Sequence, residues 1–293
     1  MKMTAQTTNQ NQKARTTGRA QTPQDSKFRD PEVRKNRGLA MIELTIRSIL
    51  FDRKTMALAA ILVLLLAVPL LWHKYADPQG ENVAMDFFVG IMAMIYLQFI
   101  VLYTCFLYAS ALLTAETEDR TMTYLISRPI PKTEILLYKY IGYLVSMFTL
   151  FAIPIILNYI ILAIYGGAGD ILRNLDVLAY ILGGVFLAVM VWGALFIMLA
   201  AYFKNPLMPG FFYCLIWESF VANLGGSLPK ATVTYYVRSF VVQGLVATTS
   251  LIESGDDSLY RETTMGMAFL SCLIAALAFF GAALVEMNNK DFY

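Results

Sequence analysis

The feature that most constrains this chain is a series of long apolar stretches, the first of which, residues 55–72, runs for 18 residues without a charge. At a rise of about 1.5 Å per residue, such a helix covers most of a hydrocarbon layer about 30 Å thick. A surface helix of a soluble protein would show a polar face at least every second turn, and this stretch has none. Five more such stretches occur, at residues 87–115, 135–165, 176–203, 207–224 and 264–286. Their length and order predict an all-α polytopic membrane protein with six transmembrane helices. Hydrophobic residues make up 58% and charged residues 15%, against about 45–50% and about 25% in soluble domains. The formal net charge of +2 is too small to suggest a nucleic-acid surface.

The segments between the stretches set the topology. Residues 1–37 are rich in Gln, Thr, Asn, Lys and Arg and poor in large apolar side chains, so they are expected to form a disordered basic cytoplasmic tail. A cleaved signal would need an apolar core close behind the basic start, and none occurs before residue 55. In residues 38–54, Leu39, Ile42, Ile46, Ile49 and Leu50 alternate with Glu43, Arg47, Asp52 and Arg53 at near-helical spacing, the pattern of an amphipathic elbow helix lying in the membrane interface. Residues 38–293 then form one transmembrane domain. Within it, residues 225–263 are an external loop, whose piece 233–252 carries Arg238 and Gln243 and is too polar to insert easily. It reads as interfacial or re-entrant helices. With six spans, 18 Lys and Arg fall on the face of the termini and 5 on the other, which places both termini in the cytoplasm of a cell inner membrane.

A charged island, residues 116–140, separates the second and third apolar stretches. Glu116, Glu118, Asp119 and Arg120 can face water while Met122, Leu125 and Ile126 occupy another helix face. Arg128-Pro129-Ile130-Pro131 then ends that helix, and Glu134 suits the first turn of the next. Acidic residues followed by Arg120-Thr121, Tyr124-Leu125, Ser127-Arg128-Pro129-Ile130, Glu134-Ile135 and Lys139 resemble the cytoplasmic loop of type 2 ABC transporter permeases. The resemblance extends over the order of the six apolar stretches, roughly residues 38–293. It implies that the loop carries a coupling helix, with Glu116, Glu118, Asp119, Arg120, Met122, Tyr124, Leu125 and Arg128 meeting a separate ATP-binding-cassette ATPase subunit. It also implies a second permease subunit, in a homo- or heterodimer, and transport in the export direction along the interface of the two membrane halves.

The chemistry left out narrows the alternatives. No GxxxxGK[S/T] phosphate loop occurs, so ATP hydrolysis is expected on another chain, and no cofactor is implied. His73 is the single histidine, which excludes an HExxH zinc site and a His-based triad. Cys105, Cys214 and Cys272 each lie inside an apolar stretch and read as buried free thiols. Polar residues inside the spans are few: Gln98, Asn158 and Glu218, the last being the one carboxylate well inside a span. Such residues either bond neighbouring helices or line a substrate pathway. A secondary carrier or channel without an ATPase would need more polar groups converging at mid-membrane. A membrane enzyme would need a constellation this chain cannot assemble.

Overall fold

The computed structural model describes residues 31–65, 71, 92–118, 132–166, 175–203, 205–224, 227–248 and 263–289. Every element among them is helical. The first, α1 (Pro31–Leu50), begins ahead of residue 38, so residues 31–37 belong to a helix. Asp30-Pro31-Glu32 explains the earlier start, since Pro at the first helical position and an acidic neighbour suit a helix N-terminus even where apolar residues are scarce. In the amphipathic part, Ile49 is buried while Leu39 stays exposed, and Arg47 pairs with Glu43 at 2.9 Å on the exposed side.

A break at Phe51 and Asp52 separates α1 from α2 (Arg53–Leu65), the described part of the first apolar stretch. Thr55 ties the joint together. Its hydroxyl donates to the Ile49 carbonyl and shares a 2.5 Å bond with the Tyr108 hydroxyl. Tyr108 lies on α3 (Leu102–Glu118), which continues directly from a π-helical stretch, Met92–Val101.

Four helical runs are long and apolar enough to cross a membrane: Tyr96–Thr114, Thr133–Ile161, Leu175–Tyr202 and Met265–Asn289. They fall on the second, third, fourth and sixth apolar stretches. The second of these runs lies within α4 (Lys132–Gly166), and the last two are α5 (Leu175–Tyr202) and α8 (Met265–Asn289). Burial ranks them: 72% of the α5 window is buried against 22% of the α8 window, so α5 is the axis and α8 lies at the rim. Around α5 pack α3, α4, α7 (Val233–Thr248) and α8. Without a hydrophobic drive between helices in lipid, association depends on close approach at small residues. A Cβ on Gly193 of α5 would lie 2.4 Å from the Tyr143 ring, and one on Gly184 would lie 2.3 Å from Val241 Cγ2.

On α8 the buried side carries Ala268, Cys272, Ala276, Ala283 and Met287, with Ala275 packed beside it and Ala278 exposed. Cys105, Cys214 and Cys272 are free and buried, as their surroundings predict.

The fifth apolar stretch is not one uniform helix. It runs as α6 (Leu207–Phe212), a π-helical segment (Tyr213–Phe220) and a 3₁₀ turn (Val221–Asn223). A second 3₁₀ turn, Leu228–Ala231, leads into α7. Helix α7 buries Val233, Tyr235, Val237, Phe240, Val241 and Val242.

Candidate functional site

The polar residues of the apolar stretches gather where the two π-helical segments meet the N-terminus of α7. A helix leaves its first four N–H groups without intrahelical partners, and in a bilayer each needs one from elsewhere. Thr232 supplies the cap, its Oγ1 accepting from the Tyr235 N–H at 3.3 Å and donating to the Pro229 carbonyl at 2.7 Å. Glu218 takes the first two N–H groups. Its Oε1 accepts from the Val233 N–H at 3.0 Å and from the Tyr213 hydroxyl at 2.5 Å. Its Oε2 accepts from the Thr234 N–H at 2.9 Å and from the Thr234 hydroxyl at 2.5 Å.

Glu218 is 0% exposed, and all four of these donors are neutral. The arrangement nevertheless suits a negative charge. The helix N-terminus is electropositive, and hydroxyl contacts of about 2.5–2.7 Å are the length of charge-assisted bonds. Trp217, a plausible partner for the carboxylate by its place in the sequence, turns away, and its Nε1 donates to the Ala231 carbonyl at 3.3 Å.

A second layer joins three elements. Gln98, on the first π-helical stretch, donates through Nε2 to the Glu218 carbonyl at 3.2 Å and accepts at Oε1 from the Arg238 guanidinium of α7. Arg238 also donates to Asn223 Oδ1 at 3.3 Å. Asn223 in turn donates to the Ser219 carbonyl at 2.6 Å. These side chains meet main-chain carbonyls where the helix changes from π to 3₁₀, the place where regular bonding is interrupted. Asn158 stands one step away, donating to the Tyr96 hydroxyl at 3.4 Å and to the Pro154 carbonyl at 3.1 Å.

Gln98 and Glu218 are thus in contact, and Asn158 reaches the same neighbourhood through Tyr96, two residues before Gln98. Gln98 and Asn158 are 2% and 3% exposed, so in this conformation their polar atoms serve neighbouring helices and not an open channel. Arg238 figures in the sequence only as an obstacle to insertion. The signal for its place among polar partners is the need of a partly buried cation for acceptors. Of the expected ATPase-facing residues, Glu116 and Glu118 lie in the last turn of α3. Asp119, Arg120, Met122, Tyr124, Leu125 and Arg128 lie outside the described residues. Among the described residues, no cluster of His, Cys, Asp and Glu could hold a metal ion.

A bundle of long apolar helices, with its few polar side chains satisfying one another at helix breaks, defines a multi-pass membrane protein. The sequence profile described as ABC-2 family transporter protein matches residues 51–217, more than half of the chain. The chain belongs to that family, whose members are membrane subunits of ABC transporters working with an ATP-binding subunit. The match includes Gln98, Asn158 and the loop 119–131 and stops one residue before Glu218. No curated protein matches the sequence.

Proposed function

We propose that the chain is the membrane-spanning permease of an ATP-driven exporter, with six spans, both termini in the cytoplasm and α1 as its elbow. A separate ATPase docks on the loop at residues 116–130, and two permease subunits flank the substrate path. The observation that carries this reading is the family match across residues 51–217, which takes in that loop, in a chain without a phosphate loop of its own. Glu118 and Asp119 meet basic groups on the ATPase, and Met122, Tyr124 and Leu125 fill apolar space. Burial of that apolar face supplies more binding energy than the rim charges do, at about 25 cal/mol per Å² against often less than about 1 kcal/mol for an exposed pair. Gln98, Asn158 and Glu218 stand beside the pathway and hold its walls together, as their burial suggests.

The test is co-purification of the tagged permease with the ATPase encoded in an adjacent reading frame, followed by ATPase assays in proteoliposomes. A Tyr124→Ala, Leu125→Ala double variant should insert normally and lose the permease-dependent change in ATP hydrolysis. Wild-type stimulation by that variant would remove the loop from its coupling role.

A further inference from the structure

The bonds inside the segment Tyr213–Phe220 run at an unusual spacing. Tyr213 bonds Glu218 at i,i+5, and the Ser219 hydroxyl donates to the Cys214 carbonyl, five residues back, at 2.8 Å. Within the α-helices such hydroxyls reach back three or four residues, as Ser48 does to Thr45, Ser146 to Gly142, Thr149 to Val145 and Thr114 to Ser110. That is the ordinary habit of Ser and Thr in an α-helix. In an α-helix, residues five apart lie about 140° apart around the axis and do not meet. The Tyr213–Glu218 bond and the Ser219 bond therefore exist only in the π register. That register is rare, is found mostly as short bulges and often marks functional sites.

We propose that Tyr213, Glu218 and Ser219 form a register lock, positioning residues that hold Tyr213–Phe220 as a π-helix in one state of the transport cycle and release it to an α-helix in another. Slipping from i,i+5 to i,i+4 bonding removes one residue from a turn and rotates the downstream residues by about 100°. The rotation carries the Glu218 carboxylate off the α7 N-terminus and its carbonyl off Gln98, so the slip frees α7 and the first π-helical stretch together. Hydroxyl and carboxylate bonds suit such a device because each is made at a few atoms and can be broken and remade singly.

The inference rests on the transport reading, and its experiment separates the two. In a background with Cys105, Cys214 and Cys272 replaced by alanine, a nitroxide is placed at Phe220→Cys, downstream of the segment, or at Leu207→Cys, upstream of it. Both native side chains are exposed, at 63% and 56%. Tyr213→Phe with Ser219→Ala removes the lock, keeps the Tyr213 ring against Phe196 and alters none of the groups that join Glu218 to α7. The expected result is a loss of most oxygen collisions at the Phe220 probe with the Leu207 probe unchanged. Permease-stimulated ATP hydrolysis should fall about tenfold, the scale of losing one charge-assisted hydrogen bond from the balance between registers. An unmoved Phe220 probe overturns the lock, and a moved probe with unaltered stimulation overturns its part in the cycle. A parent permease that stimulates no ATPase would sink the transport reading instead, while the probe, read in the permease alone, still decides the register.

Discussion

Replacing Glu218 with glutamine and with leucine separates the number of bonds at the α7 N-terminus from the charge that makes them. Leucine removes all four acceptor contacts. The Tyr213 and Thr234 hydroxyls can rotate toward other acceptors, but the Val233 and Thr234 N–H groups are fixed by the helix and have nowhere to turn. An unsatisfied buried donor costs about 1–3 kcal/mol, so two of them cost about 2–6 kcal/mol. Bonds between helices in a membrane average nearer to 0.6 kcal/mol, roughly, because the unfolded chain in lipid finds partners too, which favours the lower end. Glutamine keeps one carbonyl oxygen. Placed at the Oε1 position, it still accepts from Val233 and Tyr213, and its amide can donate to a reversed Thr234 hydroxyl. The Thr234 N–H alone is left facing a donor, a loss of about 1–3 kcal/mol.

The assay is SDS titration of the protein in mixed micelles, followed by tryptophan fluorescence. The expected order of stability is wild type, then Glu218→Gln, then Glu218→Leu. The Thr234→Val variant measured alone and with Glu218→Gln gives the coupling between the two side chains, which should be non-additive because they share a bond. If Glu218→Leu stays within about 0.5 kcal/mol of wild type, the carboxylate does not hold α7 in place and the reasoning from unsatisfied donors fails. If glutamine is as damaging as leucine, the negative charge and not the acceptor count is what the helix N-terminus needs.

Two other outcomes are expected from the packing and the charge pattern. Gly184→Ala, whose new Cβ would lie 2.3 Å from Val241 Cγ2, should destabilise the bundle by about 1–3 kcal/mol, and Val241→Ala should restore it, since the next atom lies at 3.8 Å; failure of that rescue in the same titration would mean that α7 is not packed here. For topology, single cysteines at Gly255 and Ser127 should react with an impermeant thiol reagent from opposite sides, external and cytoplasmic respectively, and labelling of both from one side would refute the orientation.

The legibility of this fold depends on which forces leave a mark on single positions. Hydrocarbon crossing demands an uninterrupted apolar run, so α4, α5 and α8 can be placed from the sequence to within a few residues. Contact between helices leaves a weaker mark. Gly183 and Gly184 announce a close approach, but nothing in α5 says that the visitor is Phe240 and Val241 of α7. A segment too polar to insert easily is expected at the interface or re-entrant, and the sequence does not say what it packs against; Arg238 bonds Gln98 and Asn223, and Glu218 takes up the first N–H groups. Per-residue hydropathy counts each polar group of α7 separately and is blind to such pairing. Glu218 is undecidable from sequence for the same reason. Its partners Tyr213, Val233 and Thr234 lie 5 to 16 residues away, and two of its four donors are main-chain N–H groups, which no residue type reveals. The one local sign is the spacing of Tyr213 with Glu218, five apart, which puts the two side chains on different faces of an α-helix and on one face only if the register widens. Polar pairs five apart, rather than three or four, are therefore the pattern by which an apolar stretch can disclose a widened register in its sequence.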